Sequence, residues 1–161
     1  YQREVAAFVT SEALGWEVVP PTVVRNDLTH GVGSLQLFMP CIFEEHYYTL
    51  REDTDQYDDE FRRIAALDIV INNTDRKAGH CVLGTEGKIW AIDHGVAFHH
   101  EFKLRTVIWD FAGETIDDDL CDDLLSPFEQ DAVKTRTTAL STARRFPHDD
   151  TGGRRYPWPL V

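Results

Sequence analysis

The chain has 161 residues, 42% of them hydrophobic and 27% charged, enough to bury one core and within the usual size of a single domain. Its formal charge of −12, with no cluster of four or more Lys and Arg, argues against nucleic acid as a partner and against charge-driven membrane attachment. No run approaches the roughly 18–20 apolar residues of a spanning helix. The three cysteines, Cys41, Cys81 and Cys121, are isolated and odd in number, so neither a disulfide framework nor a zinc site is indicated and a reducing cytoplasm is the expected setting.

In chain order, Val5, Phe8, Val9 and Ala13 recur at helical spacing and Gly15 follows as a stop, which predicts an amphipathic helix over residues 1–14. Glu4 lies in its first turns. After Pro20-Pro21 the β-branched run TVVR predicts a short strand, NDLTHGVG a loop, and SLQLFMP a second strand closing at Pro40. The acidic stretch 47–60 reads as a solvated helix face or connecting loop.

EFRRIAALDIVI places Phe61, Ile64, Leu67, Asp68 and Ile71 at three- and four-residue spacing, as in a central helix. NNTDRKAGH interrupts it. CVL, the turn GTEG and KIWAI then predict a hairpin, with Asp93-His94-Gly95 directly after its second strand. The remainder reads as mainly helical. Ser126-Pro127-Phe128-Glu129 forms a capping box that predicts a helix running to about Arg145, and the proline-rich tail reads as an irregular extension packing through Trp158.

A hairpin brings its two ends together, so Asp75 and Asp93 should face one cleft despite 18 positions of separation. Phosphoryl transfer needs such a pairing: one carboxylate orients or deprotonates an acceptor hydroxyl, and another holds the Mg²⁺ that bridges the nucleotide phosphates. His80, at the start of the hairpin, is placed to point into the same cleft. Arg76 is placed to steady the Asp75 carboxylate or to neutralise developing phosphate charge.

NNTDRKAGHCVL followed by IWAIDHGVAF resembles the catalytic loop and metal-binding segment of the phosphatidylinositol 3- and 4-kinases. The likeness is greatest to the type II 4-kinases, whose pattern runs NTDRxxDNWL and AAIDNGLAF. YQREVAAFVTSEALGWEVVPPT is similar to the family's helix bearing the glutamate that pairs with the ATP-anchoring lysine, and GVGSLQLFMP to the strand entering the adenine-contacting hinge. The resemblance implies an α+β, protein-kinase-like fold. Residues 1–40 would be the remnant of an N-lobe with the hinge, and residues 41–161 a mainly helical C-lobe carrying the catalytic hairpin. It implies Asp75 as catalytic aspartate, Asp93 as metal ligand, Glu4 as the lysine partner, and Gln36, Leu37 and Phe38 as hinge, with ATP and Mg²⁺ as cofactors.

Three departures qualify that reading. His80 occupies the position of the family's metal-binding asparagine, and imidazole suits Mn²⁺ better than Mg²⁺. The first 76 residues contain no lysine, so the chain reads as truncated at its N-terminus. The clustered cysteines of the type II lipid kinases are absent, and because the bacterial HipA-like branch phosphorylates protein hydroxyls, a protein, small-molecule or lipid acceptor stays open. Two rival readings follow: a kinase-like binding module without turnover, or a metal-dependent hydrolase using Asp75, His80, Asp93 and His94 with His99 or His100. Trp109-Asp110-Phe111 reads as core packing, and the acidic run from Asp117 to Asp123 as a solvated face.

Overall fold

The computed structural model describes residues 1–52, 54–125 and 131–147, with side chains omitted for Leu125 and 131–135. Its elements run α1 (Gln2–Ala13), β1 (Thr22–Leu28), β2 (Gly31–Gln36), β3 (Cys41–His46), α2 (Tyr47–Glu52), α3 (Asp58–Val70), β4 (Cys81–Gly84), β5 (Ile89–Ala91), α4 (Asp118–Leu125) and α5 (Asp131–Ala143). This is a mixed α+β architecture, as the sequence predicts. β1 and β2 form a two-stranded antiparallel sheet, and β3, β4 and β5 form a second sheet in that order.

Helix α1 lies where the periodicity puts it but buries a different face. Ala7, Thr10 and Ser11 are buried, whereas Val9 is 56% exposed. The Ser11 hydroxyl accepts from the amides of Val18 and Val19, at 3.0 and 3.4 Å, so a polar residue holds the chain that leaves the helix. Trp16 extends this anchorage by donating to Asp123 of α4 at 2.8 Å.

The first hairpin is tighter than NDLTHGVG suggests. β1 continues to Leu28 and turns at Gly31, whose φ of +98° no ordinary side chain adopts readily. The second strand ends at Gln36 rather than Pro40, and β3 has no local signal among its residues. The Pro40 carbonyl accepts from Thr85 N–H at 2.9 Å, after which Cys41 and Ile42 pair with Gly84 and Leu83.

Helix α3 is the centre of the molecule. Phe61, Ile64, Leu67, Asp68 and Ile71 are all fully buried, matching the predicted stripe. Arg136 of α5 donates to the Val70 carbonyl at 2.7 Å, satisfying an acceptor at the end of α3. Around α3 one apolar cluster runs from Ala7 to Phe146 and includes Trp16, Ile89, Ile116 and Leu124.

The stretch 47–60 is not simply solvated. Tyr47 and Leu50 are buried, Tyr47 stacks edge-on against Phe61 with centroids 4.9 Å apart, and its hydroxyl donates to Asp110. Phe111 is buried as expected of a packing residue, with the guanidiniums of Arg51 and Arg62 over its ring at 5.3 and 4.6 Å. Asp117, Asp118 and Asp119 are exposed, and Asp117 accepts from the Leu120 amide at 2.8 Å as the cap of α4.

Residues 95–117 are mostly irregular rather than helical. Their backbone is claimed by the loop after α3: Arg76 N–H donates to Arg105, Val107 N–H to Arg76, and Arg76 and Thr106 form a parallel bridge. Helix α5 closes at Ala143, and Arg144 turns left-handed with φ +49°. The capping box at 126–129 and the tail through Trp158 lie outside the described residues.

Phe61→Ala empties space at the centre of this cluster and is expected to lower the unfolding free energy by about 3–5 kcal/mol in urea titrations. A loss below about 1 kcal/mol would be incompatible with the packing described for α3.

Candidate functional site

The loop after α3 is built from side chains that replace regular backbone pairing. Asn72 sits at φ +52° and is fully buried, a conformation asparagine tolerates better than most residues. Its amide donates to the carbonyls of His99 and Glu101, both at 2.6 Å, and accepts from Lys103 N–H at 2.9 Å. Asn73 donates to Asp68 at 2.9 Å and accepts from the Asp75 amide at 3.1 Å, closing the turn that presents Asp75. The Thr74 hydroxyl donates to Val96 at 2.9 Å, three residues past Asp93.

The structure therefore draws the two predicted segments together. His80 closes a short 3-10 turn (Ala78–His80) immediately before β4, and its Nε2 lies 3.4 Å from Asp93 Oδ2. The Asp93 side chain is 58% exposed and the Asp75 side chain 30%, so both carboxylates reach solvent. Asp93 itself has φ +58°, a strained turn held between β5 and the residues that follow. Burial, followed by the positive charge of Arg76, pushes the His80 pKa below its ordinary value and favours the neutral ring.

Arg76 is not where the sequence reading placed it. Its side chain is fully buried and turned away from Asp75. Nε donates to Asp68 at 3.0 Å, Nη1 to the carbonyls of His80 and Ile92 at 3.2 and 2.9 Å, and Nη2 to Asp68 at 2.9 Å and to His94 Nε2 at 2.7 Å. All five guanidinium N–H groups thus have acceptors, and none remains for phosphate. Burial opposes the charge but the Asp68 carboxylate outweighs it, holding the Arg76 pKa above its ordinary value. The cation beside Asp75 is instead Lys77, with Nζ 3.3 Å from Asp75 Oδ2.

Glu4 reaches the same place from α1. Its Oε2 accepts from the His94 backbone N–H at 3.1 Å, and a Cβ on Gly95 would lie 3.3 Å from its Oε1, so the turn packs closely on the Glu4 carboxylate. Gln36 donates to the Thr22 hydroxyl at 3.0 Å, while Leu37 and Phe38 are 57% and 72% exposed just beyond β2. His99 and His100 stack on each other with centroids 4.6 Å apart, and His99 bonds the backbone of Glu101.

Sequence reasoning missed Asp68, Asn72, Asn73 and Lys77 as parts of this site, and it weighed His94 only as a ligand in the hydrolase reading. The doubled asparagine was the available signal, since two buried amides in succession mark a loop satisfied by its own side chains. Asp68 was read only as one residue of an apolar stripe, and an aspartate on that face implies a buried cation. Asp68→Ala should cost about 3–5 kcal/mol because it strands the Arg76 charge in the core. An unchanged denaturation midpoint would show that the ion pair does not hold the loop.

The family model for phosphatidylinositol 3- and 4-kinase matches residues 10–149. Protein Rv2133c of Mycobacterium tuberculosis is 32% identical, a match covering 98% of this chain and 74% of that protein. Phosphatidylinositol 4-kinase gamma 3 of Arabidopsis thaliana is 28% identical over 66% of this chain, and the match spans only 24% of the plant protein. The family match encloses α3, the NNTDR loop, the hairpin and the IDHG turn, so the chain belongs to the phosphatidylinositol 3- and 4-kinase family and its α+β fold is of the kinase-like kind.

Proposed function

We propose that this protein is an ATP-dependent phosphotransferase that passes the γ-phosphoryl group to a hydroxyl acceptor. Membership of a kinase family supports the class of reaction. The observation that carries the assignment of residues is the contact of His80 with Asp93 at 3.4 Å, formed across the hairpin whose preceding loop presents Asp75.

Asp75 is the group that orients the acceptor hydroxyl and takes its proton as the bond to phosphorus forms and the bond to the ADP oxygen breaks. Its half-exposed position and its fixed turn suit that role. Lys77, beside it, is placed to offset charge on the transferred group, the part that sequence reasoning gave to Arg76. Arg76 serves the site by bonding the carbonyls of His80 and Ile92, which fixes the residues on either side of the hairpin.

Asp93 and His80 are the metal ligands in this reading. An exposed carboxylate oxygen next to a neutral imidazole nitrogen suits a divalent cation. Among the described residues no three His, Cys, Asp or Glu side chains converge, so further ligands would come from nucleotide phosphate and water. Bound Mg²⁺ or Mn²⁺ supplies neutralisation of the phosphate oxygens. The same lack of a three-ligand cluster weighs against a metal-dependent hydrolase, as does the commitment of His94 to Arg76.

Leu37 and Phe38 offer exposed apolar side chains after β2, the chemistry needed to cover a purine, and Gln36 sets that strand end. Glu4 is proposed as the carboxylate that aligns a phosphate-binding cation with the IDHG turn, since it already holds that turn through the His94 amide. The acceptor is a protein, small molecule or lipid bearing a hydroxyl. No helix among the described residues is long and apolar enough to cross a membrane. Three free cysteines support a cytoplasmic setting.

Asp75→Asn should reduce transfer of labelled phosphate from ATP by about 10²–10⁴-fold while leaving ATP binding in place; undiminished transfer would remove Asp75 from the mechanism. His80→Asn exchanges an imidazole for an oxygen ligand, so the ratio of Mn²⁺- to Mg²⁺-supported activity is expected to fall. The same ratio in wild type and variant would show that His80 does not touch the metal.

A further inference from the structure

His94 is fully buried, with both ring nitrogens turned toward charged groups. Arg76 Nη2 lies 2.7 Å from Nε2, and because a guanidinium only donates, Nε2 must present its lone pair. A neutral ring then carries its proton on Nδ1. That nitrogen is buried without a hydrogen-bond partner and faces Glu4 Oε2 at 3.9 Å. The Glu4 oxygen it faces is the one that accepts from His94's own backbone amide at 3.1 Å.

One residue therefore links the Asp68–Arg76 ion pair of the catalytic loop to the carboxylate on α1. A shift of about 1 Å would turn the Nδ1 approach into a hydrogen bond. Gly95 permits that closeness, since a Cβ there would already stand 3.3 Å from Glu4 Oε1. The residue on the other side of His94 is Asp93, held at φ +58°.

We propose, resting on the kinase reading above, that His94 is a positioning residue. Its imidazole bridges Arg76 to Glu4 and so fixes the left-handed turn that aims Asp93. The chain of contacts runs Asp68, Arg76, His94, Glu4, and it couples the NNTDR loop to α1 through side chains rather than backbone. Apolar packing alone would fill the same space but leave Arg76 with an unpaired N–H and Glu4 with no side-chain link to the loop.

Two measurements test this. Nitrogen-15 spectra of histidine-labelled protein should show one neutral ring protonated at Nδ1, absent in His94→Gln and displaced in Glu4→Gln. A ring protonated at Nε2, or one indifferent to Glu4→Gln, overturns the bridge whether or not the protein transfers phosphate. In kinetics, His94→Phe keeps volume but removes both polar contacts. It should lower kcat about 10–100-fold with KM for ATP unchanged, whereas His94→Gln, whose amide can both accept and donate, should recover most of the rate.

Should His94→Phe fail to fold, His94→Asn replaces it with the same expectation, since its shorter amide can satisfy Arg76 without reaching Glu4. A normal kcat in His94→Phe or His94→Asn, or a glutamine no better than phenylalanine or asparagine, overturns the positioning role. Wild-type protein that transfers no phosphate overturns the kinase reading instead, and the spectra still decide the bridge.

Discussion

Arg76 is a cation with no exposed surface, and five acceptor atoms from four residues surround it: the Asp68 carboxylate on α3, the carbonyl of His80 before β4, the carbonyl of Ile92 after β5, and the ring of His94. A buried charge of this kind is tolerated only when it is paired and every donor is met. Each of the four partners is thereby fixed in place relative to the others. Removing the charge would free them together. The turn carrying Asp93 and the loop carrying Asp75 are joined through this polar centre, since Arg76 bonds the carbonyls of His80 and Ile92.

The asparagines complete the arrangement. Asn72 and Asn73 follow α3 where the helix can no longer satisfy its neighbours, and their amides take over that task for residues 68, 75, 99, 101 and 103. The result is an irregular stretch, residues 95–107, tied to the end of α3 and the loop after it through the Asn72 amide and through backbone hydrogen bonds. Rigid support beneath an exposed loop is what a reacting centre requires, because small displacements of a catalytic group are costly in rate. Exposed Asp93 and partly exposed Asp75 and Lys77 stand on a frame in which every guanidinium N–H of Arg76 is engaged.

Kinase-family membership and the geometry bear on different questions. The family model supplies the fold class and a kinase-related context. The geometry shows what each side chain meets: Arg76 is buried against Asp68, Lys77 is the cation 3.3 Å from Asp75, and His94 lies between Arg76 and Glu4 of α1. His80 beside Asp93 is the feature that most separates this site from an all-oxygen metal site.

Elements whose signal is local are legible in the residues alone. The three- and four-residue spacing of Phe61, Ile64, Leu67 and Ile71 specified α3, and the turn residues GTEG between the apolar runs CVL and IWAI specified the β4–β5 hairpin that unites His80 with Asp93. Order along the chain also located Asp75 and Asp93, since a hairpin joins its ends whatever surrounds it. The rest was decided by tertiary structure. Whether Arg76 turned outward to phosphate or inward to Asp68 depended on which acceptors the folded chain brought within reach, and desolvation made the fully paired, inward arrangement the only one compatible with its burial. The same reason hid β3, which exists because β4 offers it a partner, and the buried face of α1, where Ser11 outranks Val9 because backbone amides needed an acceptor. Periodicity reports where apolar side chains recur. Only the folded chain decides which polar groups must be satisfied in the interior, and here those groups build the site.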